Sequence, residues 1–186
     1  MIPLMIDPAM VAMAVAGNGP AAERRVTQLR DGGARQVPVF APGEVDRFGL
    51  LTDGAVHDRL PEMADLTGIG VLYVAGLDRD ASAALALMAR EHGVLVNVED
   101  VREFCDFHVP GMVRRGDLLI TVATGGQSPG LARALRRRLE SEFGPEWAER
   151  LRTLSAQRRK WIEEGADMAT VAQRTDALIE KSEWLI

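Results

Sequence analysis

At 186 residues, 47% hydrophobic and 26% charged, the chain has the size and composition of one globular domain, or one domain with an appendage, and not of a disordered segment. A net charge of -5 offers no basic field for nucleic acid or an anionic membrane, and a single cysteine excludes an internal disulfide and any cysteine-rich zinc site. No apolar run approaches a membrane span and the first residues lack a signal-peptide pattern, so the expectation is a soluble cytoplasmic protein.

The run "MVAMAVAGNG" is apolar and ends in glycines, as a buried strand does. In "PAAERRVTQLRDGGA", Ala22, Val26 and Leu29 recur at helical spacing, and Gly32-Gly33 closes the helix. "RQVPVFAP" reads as a second strand, with Pro38 expected at an edge or a bulge. A third strand is "GVLYVAG", from Gly70 to Gly76, followed by a helix in "DASAALALMAREHG" and another strand in "VLVNV". Strand and helix alternating at these intervals predict parallel pairing with right-handed crossovers, hence an open α/β sheet. The pattern then changes: "FHVPGMVRRGDLLITVAT" suits a hairpin, and "SPGLARALRRRLESEFG" a helix capped by Ser128 with Pro129 at its first position. Beyond Gly144 only helical periodicity remains.

Three stretches carry candidate chemistry. "GNGPAA", Gly17 to Ala22, fits G-x-G-x-x-A between a strand and a helix, the turn that brings backbone close to a pyrophosphate; its other reading is a purely structural tight turn. The acid that normally ends the second strand and holds a ribose is missing: Ala41-Pro42 stand there, with Glu44 beyond as a substitute or a solvated loop acid. "NVEDVREFCDFHVP" places Asp100 at the carboxyl end of a strand, either as the N-cap of a short helix or as an acid in a ligand crevice. Cys105 and His108, with no second ligand cluster, read as a buried thiol and a satisfied histidine, and no metal site is expected. "TGGQSPG", Thr124 to Gly130, is either an anion site at a helix start or an ordinary capped entry. The arginines at 133, 136, 137 and 138 form a solvated face or meet a carboxylate-rich ligand.

G-x-G-x-x-A-x-R-[RK] at 17–25, "AP" at 41–42, "VNVED" at 96–100, "CDFHVP" at 105–110 and "ITVATGGQSPGLARALRRRLE" at 120–140 stand in the order found in siroheme synthases. The chain resembles their precorrin-2 dehydrogenase/sirohydrochlorin ferrochelatase module over nearly its whole length. The resemblance implies an NAD-binding Rossmann-like domain over 1–106, a dimerisation region over 107–143 and a helical C-terminal domain over 144–186. It implies oxidation of precorrin-2 by NAD⁺, Fe²⁺ insertion at the same site in many members, and a homodimer. Carried over by position, Gly17, Gly19, Pro20 and Ala21 fall on the pyrophosphate turn, Ala41 and Pro42 on a second cofactor contact, and Asp100 on the catalytic aspartate. Asn97, His108, Thr124, Ser128 and Arg133 are candidate substrate contacts, and some of Arg114, Arg115, Arg133 and Arg136 are expected to face the carboxylates of a tetrapyrrole.

Asn18 interrupts the usual three glycines, "VAGLDRD" replaces the usual "AATDD", and Thr124 stands where some members carry a phosphorylated serine. The competing class is a non-catalytic dinucleotide-binding regulatory module that retains the fold.

Overall fold

The computed structural model describes residues 1–185, which divide into two compact units, 1–109 and 110–185. In the first unit the strands are β1 (Ala12–Gly17), β2 (Val39–Phe40), β3 (Val56–His57), β4 (Ile69–Ala75) and β5 (Leu95–Val98). Its helices are α1 (Gly19–Asp31), the single turn α2 (Val45–Phe48) and α3 (Arg79–Glu91). All pairings are parallel, in the order β3-β2-β1-β4-β5. The Rossmann-like expectation is met, including the helix registered on Ala22, Val26 and Leu29, all of which are buried.

The central strand β1 is buried on both faces, as a parallel strand between helical layers must be. Met13 and Val15 join Val26, Leu29, Val39, Phe48 and Val71 on one face of the sheet. Ala14 and Ala16 join Phe40, Leu72, Val74, Leu85, Ala89 and Val96 on the other. Alternation within one strand thus feeds two half-cores, one under α1 and one under α3.

Two features depart from the sequence reading. The second strand is short and interior, not an edge: Pro38 stands just before the ladder and supplies only its carbonyl, to the Val15 N–H at 3.0 Å. Its missing N–H therefore costs no sheet bond. The true edge on that side is β3, which is only two residues long and too short for periodicity to reveal.

Between β3 and β4, a 3₁₀ turn over Met63–Leu66 is closed by an acid network. Asp65 takes both ends of the Arg59 guanidinium, at 2.6 and 2.9 Å, and accepts the Glu62 N–H at 2.7 Å. The Arg59 hydrogen bonds, followed by the Glu62 N–H, hold its carboxyl down at about 2. A depressed folded pKa means the contribution is complete above the ordinary carboxylate pKa near ~3.9 and is lost as pH falls toward about 2. Asp65→Asn should therefore lower the melting temperature at pH 6, with the gap to wild type closing as pH drops from about 4 to 2. A gap that stayed constant over that range would show that the carboxylate charge is not what holds this turn.

The second unit begins with an antiparallel hairpin, β6 (Gly111–Arg115) and β7 (Leu118–Val122). The helices α4 (Pro129–Glu142), α5 (Trp147–Glu163) and α6 (Met168–Lys181) follow. The hairpin and the capped helix match expectation, with Ser128 Oγ accepting the Leu131 N–H at 3.2 Å. The C-terminus of α4 is closed by Arg115, whose guanidinium donates to the Glu140 and Phe143 carbonyls at 3.1 and 2.8 Å. These are among the carbonyls a helix end leaves without partners. Among the described hydrophobic residues of this unit only Val113 and Val171 are buried, while Leu131, Leu135, Ile162 and Met168 are exposed. Among the described residues no helix is long and apolar enough to cross a membrane.

Candidate functional site

The strand order reverses between β1 and β4, so the connections leave these two strands in opposite directions and open a crevice beyond their carboxyl ends. The glycine turn lies at this crevice. Gly17 ends β1 so close to β4 that a Cβ placed on it would stand 1.7 Å from the Ala75 carbonyl oxygen. Gly19 starts α1 at φ +66°, and a Cβ there would meet nothing within 4 Å. The first glycine is thus required by the strand contact, and the second leaves open space in front of a helix N-terminus. Pro20, which follows, has no N–H to leave unsatisfied. Asn18 occupies the N-cap position but its side chain caps nothing, and its Oδ1 is buried without a hydrogen-bond partner among the described residues.

The helix start already holds an anion. Glu44 Oε2 accepts the Gly19 N–H at 2.6 Å, and Arg47 Nε lies 3.0 Å from the same oxygen. Glu44 is therefore not a free loop acid: it folds back from the end of β2 onto the turn. Ala41 is buried and Pro42 half-buried beside it. The Gly19 amide is committed to this carboxylate, and the open space in front of the helix start is left for a phosphate group.

At the carboxyl end of β5 the two adjacent acids do different things. Glu99 Oε1 lies 3.3 Å from Arg24 and 3.7 Å from Arg25, tying this strand end to the first turns of α1. Asp100 is exposed, in the left-handed backbone region at φ +61°. The short helix after it is a 3₁₀ turn, Arg102–Phe104, whose N-cap is Val101; Asp100 is not the cap that the sequence allowed. Aspartate and asparagine tolerate this backbone better than other residues with side chains. Asp100 lines an open cleft of about 540 Å³ with Arg79, Val101, Arg102 and Glu103. Arg79 pairs with Glu103 and lies over the Phe104 ring.

Cys105 organises this loop. Its Sγ donates toward the Val98 and Val101 carbonyls at 3.1 and 3.3 Å and accepts the Val98 N–H at 3.3 Å. Burial, ahead of any charge, pushes the thiol pKa up, which suits a structural group and not a nucleophile. Asp106 returns its carboxylate to the Val96 N–H and to Arg90, so residues 105–107 cover the open edge of β5. Asn97 is buried and its amide donates to the Phe107 carbonyl at 2.9 Å, so this candidate substrate contact is spent inside the loop. His108 is exposed and has no hydrogen-bond partner among the described residues, a correction to the satisfied histidine expected. Among the described residues no group of three or more His, Cys, Asp and Glu side chains could hold a metal ion.

In the second unit, Thr124 Oγ1 donates to the Ser128 carbonyl at 3.1 Å and accepts the Ser128 N–H at 3.3 Å, closing the loop before α4. Arg133 is exposed, Arg136 is paired with Glu140 at 2.8 Å, and Arg115 is committed to the end of α4. Of the four arginines from which some were expected to meet carboxylates, Arg115 and Arg136 therefore have partners within the chain, and Arg114 is half-buried. The sequence reading missed Arg79 and Arg102, the two basic side chains lining the cleft with Asp100. The only cue was the basic residue inside the divergent "VAGLDRD".

A family model described as putative NAD(P)-binding matches residues 4–111, which nearly coincides with the first unit. A siroheme synthase of Methylococcus capsulatus is 38% identical over 136 residues, covering 70% of this chain and 29% of the relative. A siroheme synthase of Thioalkalivibrio sulfidiphilus is 37% identical over 133 residues, covering 70% and 27%. Siroheme synthase 1 of Pectobacterium atrosepticum is 30% identical over 179 residues, covering 86% and 37%. The chain thus spans 27% to 37% of the length of these relatives. The solved structure of SirC, a precorrin-2 dehydrogenase, superimposes with a TM-score of 0.74 at 21% identity, covering 100% of this chain and 92% of that one. It shares the fold.

Proposed function

Because the chain belongs to the putative NAD(P)-binding family, we propose that it uses NAD⁺ to oxidise precorrin-2 to sirohydrochlorin, and that Fe²⁺ insertion to siroheme follows at the same site. The observation that carries this reading is that the glycine turn and Asp100 both follow carboxyl ends of one parallel sheet, the turn at its switch point and Asp100 at the edge strand next to it. The siroheme synthase relatives support the choice of substrate.

Removing two hydrogens from a tetrapyrrole ring means removing a hydride and a proton. A bound nicotinamide supplies the hydride acceptor, which no amino-acid side chain can be. In this reading Gly17, Gly19, Pro20 and Ala21 hold the pyrophosphate, and Ala41 and Pro42 line the adenosine side. Asp100 takes the proton as general base. During chelation two pyrrole N–H protons leave as Fe²⁺, a substrate here, enters, and the same carboxylate accepts one of them. Arg102 lines the cleft with Asp100 and suits a carboxylate on the substrate, while Arg79 is paired with Glu103. His108 is proposed as a further substrate contact, and Thr124, Ser128 and Arg133 stay candidates on the resemblance alone.

The test is an absorbance scan of the purified protein with precorrin-2 and NAD⁺, run with and without Fe²⁺. Formation of sirohydrochlorin only when NAD⁺ is present is expected. A protein that binds NAD⁺ and leaves precorrin-2 unchanged would instead be a non-catalytic dinucleotide-binding module.

The reading includes a homodimer. It is supported by the second unit having, among its described hydrophobic residues, only Val113 and Val171 buried, set against its exposed leucines and Met168. A two-stranded hairpin and three helices with so little core require another surface to cover their apolar faces. Light scattering at micromolar concentration should give twice the chain mass of 20.3 kDa. A monomer at physiological salt would refute the dimer.

A further inference from the structure

We propose that Glu44 is the residue that selects NAD⁺ over NADP⁺, doing from the turn after β2 what an acid at the strand end does elsewhere. The inference rests on the nicotinamide dinucleotide reading above and adds to it the discrimination between the two cofactors.

The second strand ends in Ala41, which has no group to offer a ribose. The chain then turns sharply, with the Glu44 N–H returning to the Ala41 carbonyl at 3.1 Å. The turn is held from the neighbouring strand by the Gly43 N–H, which donates to Asp58 Oδ1 at 2.5 Å. This places Glu44 over the start of α1, 25 residues away in sequence, where Oε2 takes the Gly19 N–H. Both bonds of the carboxylate, from Gly19 and from Arg47, fall on Oε2. Oε1 is left to accept a hydroxyl. In this sheet order the adenosine ribose lies at the carboxyl end of β2 and the pyrophosphate at the glycine turn. A carboxylate bridging the two accepts the ribose 2′-hydroxyl and opposes a 2′-phosphate in its place.

Arg47 is the group that could reverse this preference, since an arginine near the strand end accommodates a 2′-phosphate in other proteins of this architecture. Here it is already shared: Nε lies on Glu44 at 3.0 Å and the terminal nitrogen donates to Glu23 Oε2 at 3.0 Å. Two carboxylates face one guanidinium, so the cluster keeps a net negative charge. The Gly19 N–H remains with Glu44, and the pyrophosphate is received by the Ala21 N–H, because Pro20 has none.

The experiment is calorimetric titration of the full chain with NAD⁺ and with NADP⁺, for wild type, Glu44→Gln and Arg47→Ala. Glutamine can still accept the Gly19 N–H, so the turn survives while the charge is lost. Wild type should favour NAD⁺, and Glu44→Gln should shrink the preference by about tenfold or more, mainly through tighter NADP⁺ binding. Arg47→Ala keeps the carboxylate, removes its counter-charge and should widen the preference; it stands as the measurement if Glu44→Gln does not fold. Raising the salt should weaken wild-type rejection of NADP⁺, an electrostatic signature that a merely structural contact would lack. An unchanged ratio in both variants, or a wild type that binds the two cofactors equally, would overturn the assignment of Glu44 and leave the cofactor reading intact. A wild type that binds neither would overturn the cofactor reading, and the inference with it.

Discussion

Replacing Asp100 by asparagine is expected to lower the rate of sirohydrochlorin formation by about 10²–10⁴-fold, the usual contribution of a general base. The fold should survive, because three structural duties are absent. Asp100 is not a helix cap, it is exposed, and it holds no ion pair among the described residues. What its position does demand is a left-handed backbone at φ +61°, which asparagine tolerates as well as aspartate. Stability should therefore change by less than about 1 kcal/mol. NAD⁺ affinity should hold, since the glycine turn is on another loop. Alanine is the poorer substitution: it adds a backbone cost of about 1–2 kcal/mol that would blur the comparison. Melting temperature, NAD⁺ affinity and turnover measured on the asparagine variant decide the matter. Near-normal turnover in a folded protein would remove Asp100 from the chemistry.

The second large effect separates the two glycines of the turn. Gly17→Ala should damage the fold, because its Cβ would stand 1.7 Å from the Ala75 carbonyl oxygen and force β1 and β4 apart at the centre of the sheet. Overpacking together with backbone strain suggests a loss of about 2–5 kcal/mol. Gly19→Val should act differently. Its Cβ enters open space, so the main folding cost is the left-handed backbone, about 1–3 kcal/mol. That open space is where a pyrophosphate would approach, so NAD⁺ binding should fall below detection while the protein still melts cooperatively. Gly19→Ala, smaller and not β-branched, should fall between valine and wild type. Unchanged NAD⁺ affinity in Gly19→Val would place the cofactor elsewhere. A Gly17→Ala protein as stable as wild type would mean that the sheet can part there without cost.

Much of the first unit was legible because its signals are local. Ala22, Val26 and Leu29 announce α1 and its buried face at once, since helical spacing decides both. The all-apolar β1 and β4 announce strands covered on two sides, and the Ser128-Pro129 pair announces where α4 begins. What failed locally were the elements too short to have a period, β3 and α2; β2 was legible as a strand, but its two-residue length and interior place were not. The short strands exist because a neighbouring strand supplies hydrogen bonds, not because their residues prefer the conformation.

Charge partners form the other class. The acids of "NVED" were visible as a pair, yet the sequence did not distinguish Glu99, held by Arg24 and Arg25, from Asp100, which is left free at a cleft. Glu44 read as a substitute ribose acid or a solvated loop acid, and Arg115 as a candidate for substrate carboxylates. In the structure one bonds the Gly19 N–H and the other closes the end of α4. By itself the sequence determined the class of fold, the glycine turn and the strand end that carries Asp100, because periodicity, caps and turn residues act over a few positions. Only the tertiary structure decided which charges are spent and which are free. That depends on strand order and on how a turn folds back over 25 residues or more, distances across which no local pattern constrains a side chain.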